Sequence, residues 1–490
     1  MSVWLLSLEA LDASDQPVTL RFSTGAYAAD GQFWMPRIQQ AGLFRAGLYA
    51  GDLLNVSRSG YGETTLINAD GALDYLVDYA MDGREARLSY CESGHLTEVL
   101  VGTVARVSYQ RRIVSLRLRD PVEVLQQPHP NARYAGDNVL PDGLEGTDDD
   151  IGGTIKPRLY GQVRNAAPVL VNSARLIYQI SDQPCTVTAV YDDGVPLDYD
   201  GEYSSLAELE GTPPASGEWS DWEPPAGKWR RIDGYIRLGD TPVGEIACDA
   251  DAPIVGAGAV LQAVAGDAGA AVGDVSSLDA AGQVRLLVTD ETATAEIIDT
   301  IAASVGGWWR IDSAGVIQAG LFAAPAAPVL TLLGHQIIEI SRESTGAGGN
   351  GLPVSEVTVE CDPIERTQEG LAGVVDADRR ARLALAVREA TAEDAAVASR
   401  HPLSDTLRIE SRLASRAQGQ AVASRVLGLL SPRRDRLSVT ARVLDAPSLA
   451  IGDTVRIVTP RLGYAAGRDL LVIGRELDTA RNRLTLELWG

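Results

Sequence analysis

The chain is 490 residues long, with 45% hydrophobic and 22% charged residues, 49 Gly, 24 Pro and only 4 Phe. That composition excludes a disordered chain and suits a loop-rich, β-dominated protein with more residues than one core supports, so several domains are expected. The formal net charge of −23 argues against a surface that grips nucleic-acid phosphates. An acidic lumen that repels passing DNA and a plain acidic surface both fit it.

Short strand-like runs open the chain: VWLLSLEAL, VTLRFST, FWMPRIQ, TTLINADG and EARLSY, then the hairpin VLVGTVARVSY and RRIVSLRLRD. Alternating apolar residues bounded by turn signals predict one small barrel or sandwich over 1–125, with a short helical stretch between Asp70-Gly71 and Asp82-Gly83. Residues 126–155 carry Pro, Gly and the run Asp148-Asp149-Asp150, and read as a linker or exposed loop. A β-rich unit follows over 156–252, opening on KPRLYGQVRNAAPVLVNSARLIYQI; its middle, GEWSDWEPPAGKW, clusters Trp219, Trp222 and Trp229.

Residues 253–345 read as a mixed α+β unit. Ile297, Ile298, Ile301 and Val305 stripe one face of a helix over 292–305, which Gly306-Gly307 stops before the strand WWRID and a hairpin. A second middle region, 346–436, contains an amphipathic helix at 414–430 ended by Ser431-Pro432. From 437 to 490 the pattern is β again.

The closing stretch, RNRLTLELWG, repeats the pattern of RRIVSLRLRD: Leu484, Leu486 and Leu488 alternate as Val114, Leu116 and Leu118 do. Each follows a glycine-containing strand, around Gly102 and Gly474. Coincidence among amphipathic strands and duplication of a closing hairpin both produce such a pair. The block order, β, inserted β, mixed, then β, favours duplication. Alternation turns Trp489 away from the three leucines, as a subunit contact or as a lid over its own barrel.

No catalytic constellation is legible. The sequence has no Gly-x-Ser-x-Gly elbow, His-Glu-x-x-His or Walker loop, and GAGGNG at 346–351 lacks the dinucleotide spacing. Its four histidines, His95, His129, His335 and His401, are isolated. Cys91, Cys185, Cys248 and Cys361 lie far apart, so buried thiols are expected rather than a zinc or iron-sulfur site. Catalytic, cofactor-binding and metal-binding residues are therefore all expected to be absent. A carboxylate-based hydrolase escapes this test, because an acidic chain always contains Asp/Glu pairs. The tryptophan cluster suits sugar stacking, core packing or an exposed contact with another protein. The N-terminus shows no basic n-region or cleavage site, and no apolar run reaches the ~20 residues a membrane span needs. Synthesis in the cytoplasm and no stable membrane insertion are the expectations.

Four blocks together resemble tail-tip or baseplate hub proteins of tailed bacteriophages and prophages. They are LINADGALDYLVDYAMDGREARL, KPRLYGQVRNAAPVLVNSARLIYQI with AVYDDGVPL, IIDTIAASVGGWWRIDSAGVIQAG, and the run from Gly452-Asp453 through Arg461-Leu462-Gly463 and Val472-Ile473-Gly474 to the final Leu-x-Leu-Trp-Gly. None is a catalytic motif; the likeness lies in their order. It implies a multidomain, mainly β chain with some α, in which two small tube-like β-barrels, 1–125 and 437–490, flank the inserted domain and the mixed middle. It further implies a non-enzymatic virion protein of the phage tail. Three copies would present six barrels to a six-fold tube, contact a distal tail ring protein, a tape-measure protein and fibres or other tip proteins, and meet DNA only in transit. Trp219, Trp222, Trp229 and Trp489 are the candidate interface residues. Two rival functions are a tail-associated polysaccharide or cell-wall hydrolase, and a ring-forming adaptor or sugar-binding module.

Overall fold

The computed structural model describes residues 2–29, 31–49, 53–54, 58–92, 94–119, 121–211, 222–312, 315–344, 351–371, 373–443, 446 and 449–490. The chain is mainly β, and two half-barrel sheets dominate it.

The first sheet contains, in chain order, Ser2–Leu11, Ile38–Gln40, Glu63–Ile67, Glu85–Glu92, His95–Tyr109 and Ile113–Arg119, with Pro17–Ser23 added at one edge. The second contains Leu330–Leu333, Ile337–Ser344, Arg436–Arg442, Thr454–Val458, Arg468–Asp478 and Arg483–Trp489. Numbering each set of six by chain order, both sheets run first, fourth, fifth, sixth, third, second. They differ at one pairing: the first strand meets the fourth antiparallel in the N-terminal sheet and parallel in the C-terminal one.

The repeated hairpin agrees in finer detail. In the N-terminal copy Val104 pairs with Leu118 and Arg106 with Arg117, so Ala105 is bulged. In the C-terminal copy Val472 pairs with Leu488 and Gly474 with Glu487, so Ile473 is bulged. Counted from the leucine pattern these are the same position, and an extra residue at one site bends both strands alike. Gly102 and Gly474 are not equivalent. The former lies before its bulge and the latter directly after, so the bulge and not the glycine marks the repeat. The inward residues explain why alternation was visible: Val114, Leu116, Leu484, Leu486 and Leu488 are fully buried.

Each sheet carries an excursion between its second and third strands. In the N-terminal sheet this is a hairpin, Leu43–Gly47 with Arg58–Tyr61, that leaves its own sheet and pairs along Gly474–Asp478 of the other. In the C-terminal sheet it is a larger unit, with strands Val354–Cys361, Arg388–Glu393 and Asp405–Ile409 and the helix Arg416–Leu430. Ser415 caps that helix, its hydroxyl accepting from the Gln418 amide. Gly419 is needed there, since a Cβ would come within 2.7 Å of Cys361 Sγ.

The helix Thr294–Ser304 buries Ile297, Ile298 and Ile301 and ends at Gly306, whose φ of 61° is the left-handed stop. It packs beside Ala257–Asp267, an Ala/Gly/Val helix that the apolar periodicity did not single out. One hydrophobic core runs through both sheets, these helices and the 354–430 unit. The C-terminal sheet therefore extends beyond residues 437–490, drawing strands from 330–344 and 43–61.

The inserted domain is a β-sandwich with its own core. A four-stranded sheet and a five-stranded sheet enclose Val163, Val187, Trp229, Ile236 and Cys248. Its ends are adjacent: the Gly161 amide donates to Ile254 O and the Ala252 amide to Gly161 O, each at 2.8 Å. Residues 131–155 pack onto this domain instead of standing free. Tyr134 and Leu144 are buried with Val171, Ile177 and Leu209, and Tyr134 OH donates to Gln179 Oε1 at 2.7 Å. Asp148, Asp149 and Asp150 stay exposed.

Candidate functional site

The four tryptophans do not form one surface. Trp229 is a core residue of the inserted sandwich, 1% exposed, with its Nε1 donating to Leu197 O at 3.2 Å and its ring 4.9 Å from that of Tyr199. Trp222 is half-buried, and its carbonyl accepts from Tyr203 OH. Trp219 lies outside the described residues. Trp489 is 0% exposed: its ring lies 4.6 Å from Phe322, and the Arg434 guanidinium sits over it at 5.2 Å. Phe322 from the middle region packs against the Trp489 ring. Neither Trp229 nor Trp489 offers surface to a partner in this conformation.

The structure brings together instead the junction of the two sheets. Trp4 Nε1 in the first strand donates to Asn482 Oδ1 in the last hairpin at 2.8 Å. Thr479 Oγ1 donates to the Gly42 carbonyl at 2.6 Å in a buried setting. Arg45 and Glu476 pair across the strand join. These contacts tie the two ends of the chain into one body. Nothing local in the sequence signals them, since strand pairing over more than 400 residues leaves no periodic trace.

Between the sheets lies a cleft of about 380 Å³, lined among others by Phe44, Leu100, Arg310, Asp312, Leu449 and Arg475. The inserted domain meets the 360–383 segment through both polar and apolar contacts: Asn165 Nδ2 donates to Arg366 O at 2.7 Å and the Glu365 amide to Arg164 O at 3.1 Å, while Val195 packs on Ile364, Leu371, Val375 and Leu383.

All four cysteines are buried and unpaired by disulfides. Burial, followed by Asp233 and Asp251, pushes the Cys185 thiol up to about 12, which leaves it a poor nucleophile. Among the described residues no group of three or more His, Cys, Asp or Glu is placed to hold a metal, and no helix is long and apolar enough to cross a membrane.

No family model and no curated protein matches the chain. Solved structures do. A tail protein from Neisseria meningitidis MC58 is 10% identical over 99% of this chain and 96% of its own, with a TM-score of 0.47. A 43 kDa tail protein of prophage MuSo2 from Shewanella oneidensis is 11% identical, covering 100% and 98%, with a TM-score of 0.41. A chain from the virion of a native gene transfer agent particle is 15% identical over 75% and 91%, with a TM-score of 0.45. Phage and prophage tail proteins are the class that the four sequence blocks resemble.

Proposed function

We propose that this chain is a structural, non-enzymatic subunit of a phage-type tail, acting as a tip or baseplate hub that closes the tail tube and carries peripheral tip proteins or fibres. The observation that supports this reading is the pair of half-barrel sheets with one strand order and one bulge position. A duplicated unit lets three chains present six similar sheets, which is the simplest way for a trimer to dock on a six-fold tube. The paired excursions serve two needs of such a part. The 43–61 hairpin locks the two sheets into one rigid body, and the inserted sandwich, with a core of its own, serves as a module for another tip protein.

In the particle, the partners are two further copies of the chain, the distal tail ring protein and the tape-measure protein, with DNA passing only in transit. Particles assembled without this chain should lack a closed tip and fail to infect or transfer DNA, and supplying it in trans should restore both. Normal tips in its absence would overturn the reading. Release of reducing sugar or muropeptide by the pure protein would favour the hydrolase instead.

A further inference from the structure

We propose that the cleft between the two sheets is an oxyanion site, with Arg475 as its principal ligand and Arg310 beside it. Arg475 lies one residue past Gly474, where the strand bends after its bulge and changes partner from Thr454–Val458 to Leu43–Gly47. Its Nε and Nη2 are buried, and neither has a hydrogen-bond partner among the described residues. Arg310 lines the same cleft, and its Nε is likewise buried without a partner.

The carboxylates nearby serve the other cations: the charges of Asp312 and Asp453 act on Arg310, and among the described residues none acts on Arg475. Asp312 accepts from the Val316 amide at 3.0 Å and from Gln318 Nε2 at 2.9 Å. Glu98 pairs with Arg87 at 3.1 Å, and the third arginine of the cleft, Arg45, is held by Glu476. Among the described residues of the cleft, Arg475 is thus the cation without a counter-charge, and two of its nitrogens have no partner. An uncompensated buried charge is among the costliest arrangements in a protein, and a guanidinium fork presents parallel N–H donors that match a carboxylate or phosphate. Burial also pushes both guanidinium groups below their ordinary range.

A volume of about 380 Å³ admits a carboxylate side chain or an inorganic oxyanion. Two sources supply that chemistry: a free anion from solution, or an Asp or Glu of a second copy of this acidic chain. The site stands whether or not the chain belongs to a tail.

The experiment uses the full chain and three variants, Arg475→Met, Arg310→Met and the exposed control Arg481→Met. Thermal unfolding is followed in phosphate-free buffer and with added inorganic phosphate at constant ionic strength, and self-association by sedimentation. In phosphate-free buffer Arg475→Met should melt above wild type, because an apolar isostere removes the unpaired charge. If phosphate raises the wild-type melting temperature by several degrees, leaves Arg475→Met unmoved and raises Arg310→Met by less, the ligand is a free oxyanion. If phosphate moves neither, but wild type and Arg481→Met associate with concentration while a stably folded Arg475→Met does not, the ligand is a carboxylate of a second copy. Equal phosphate response and equal association in wild type and Arg475→Met would overturn the proposal.

Discussion

Trp489 is a residue whose surroundings strand alternation alone does not define. Its strand alternates as the sequence implied, and with Phe322 packed against its ring the indole is fully buried. Its Nε1 has no hydrogen-bond partner among the described residues. Packing alone should then set its worth. Trp489→Ala should cost roughly 3–5 kcal/mol and Trp489→Phe much less, by denaturant unfolding; equal costs would mean the indole N–H matters. Removing residues 488–490 should also loosen the middle region, because that region packs on the same ring. His129 carries a second residue-scale expectation. It is 3% exposed, with Nε2 2.9 Å from Tyr160 OH, and is surrounded by Arg158, Asp182 and Asp267. Burial, reinforced by Arg158, lowers its pKa to about 4. Above the ordinary value near 6.5 the imidazole is neutral in both folded and unfolded states, so its titration does not change stability there. As pH falls from about 6.5 to 4 the unfolded state takes up a proton that the folded state refuses, and stability should drop by an amount on the order of 3 kcal/mol. The pH profile of unfolding free energy should be flatter over that window in His129→Gln; parallel profiles would contradict the assignment. In the sequence, His129 was simply an isolated histidine.

Among the elements, the two hairpins were legible because period-2 alternation is a local signal, and the helices 294–304 and 416–430 because a 3.6-residue stripe with a glycine or proline stop is another. The bulges at Ala105 and Ile473 carry no such signal, and the glycines that had stood in for them are not equivalent. A bulge fixes register, and a one-residue slip turns every following side chain to the opposite face. Deleting Ile473 makes no such slip: it keeps Val472 opposite Leu488 and sets Gly474 next to it opposite Glu487, so the faces are preserved but the bend and a buried side chain are lost. It should destabilise the two-sheet body by roughly 2–5 kcal/mol, whereas Ile473→Val should cost only about 1 kcal/mol. Circular dichroism melts of the two variants test this. A mild effect of the deletion would mean that the bulge is incidental and the likeness of the hairpins superficial. The 43–61 hairpin was invisible as a bridge. Its cross-sheet bond can be weighed with Thr479→Val, which leaves the Gly42 carbonyl only the longer bond from the residue 479 amide at 3.4 Å and should cost about 1 kcal/mol.

At the scale of the whole molecule, the block order β, inserted β, mixed, β gave the mainly β, multidomain class, and the structure adds that the outer blocks share one core while the insert has its own. The adjacent ends of the insert and the burial of Tyr134 and Leu144 against it imply an autonomous unit. Residues 131–253 expressed alone should unfold cooperatively, with dispersed amide resonances; a collapsed, non-cooperative fragment would show that the body is needed to fold it. The proposed role rests on the body itself: one chain supplies two versions of a single sheet, and the proposal is that three chains thereby meet a six-fold partner. A reconstruction of the assembled particle, resolved well enough to trace strands at the tip, tests it most directly. The account predicts three copies, with the Ser2–Leu11 and Arg483–Trp489 sheets alternating around the tail axis as six similar units. A different copy number, or sheets lying away from that axis, would contradict it.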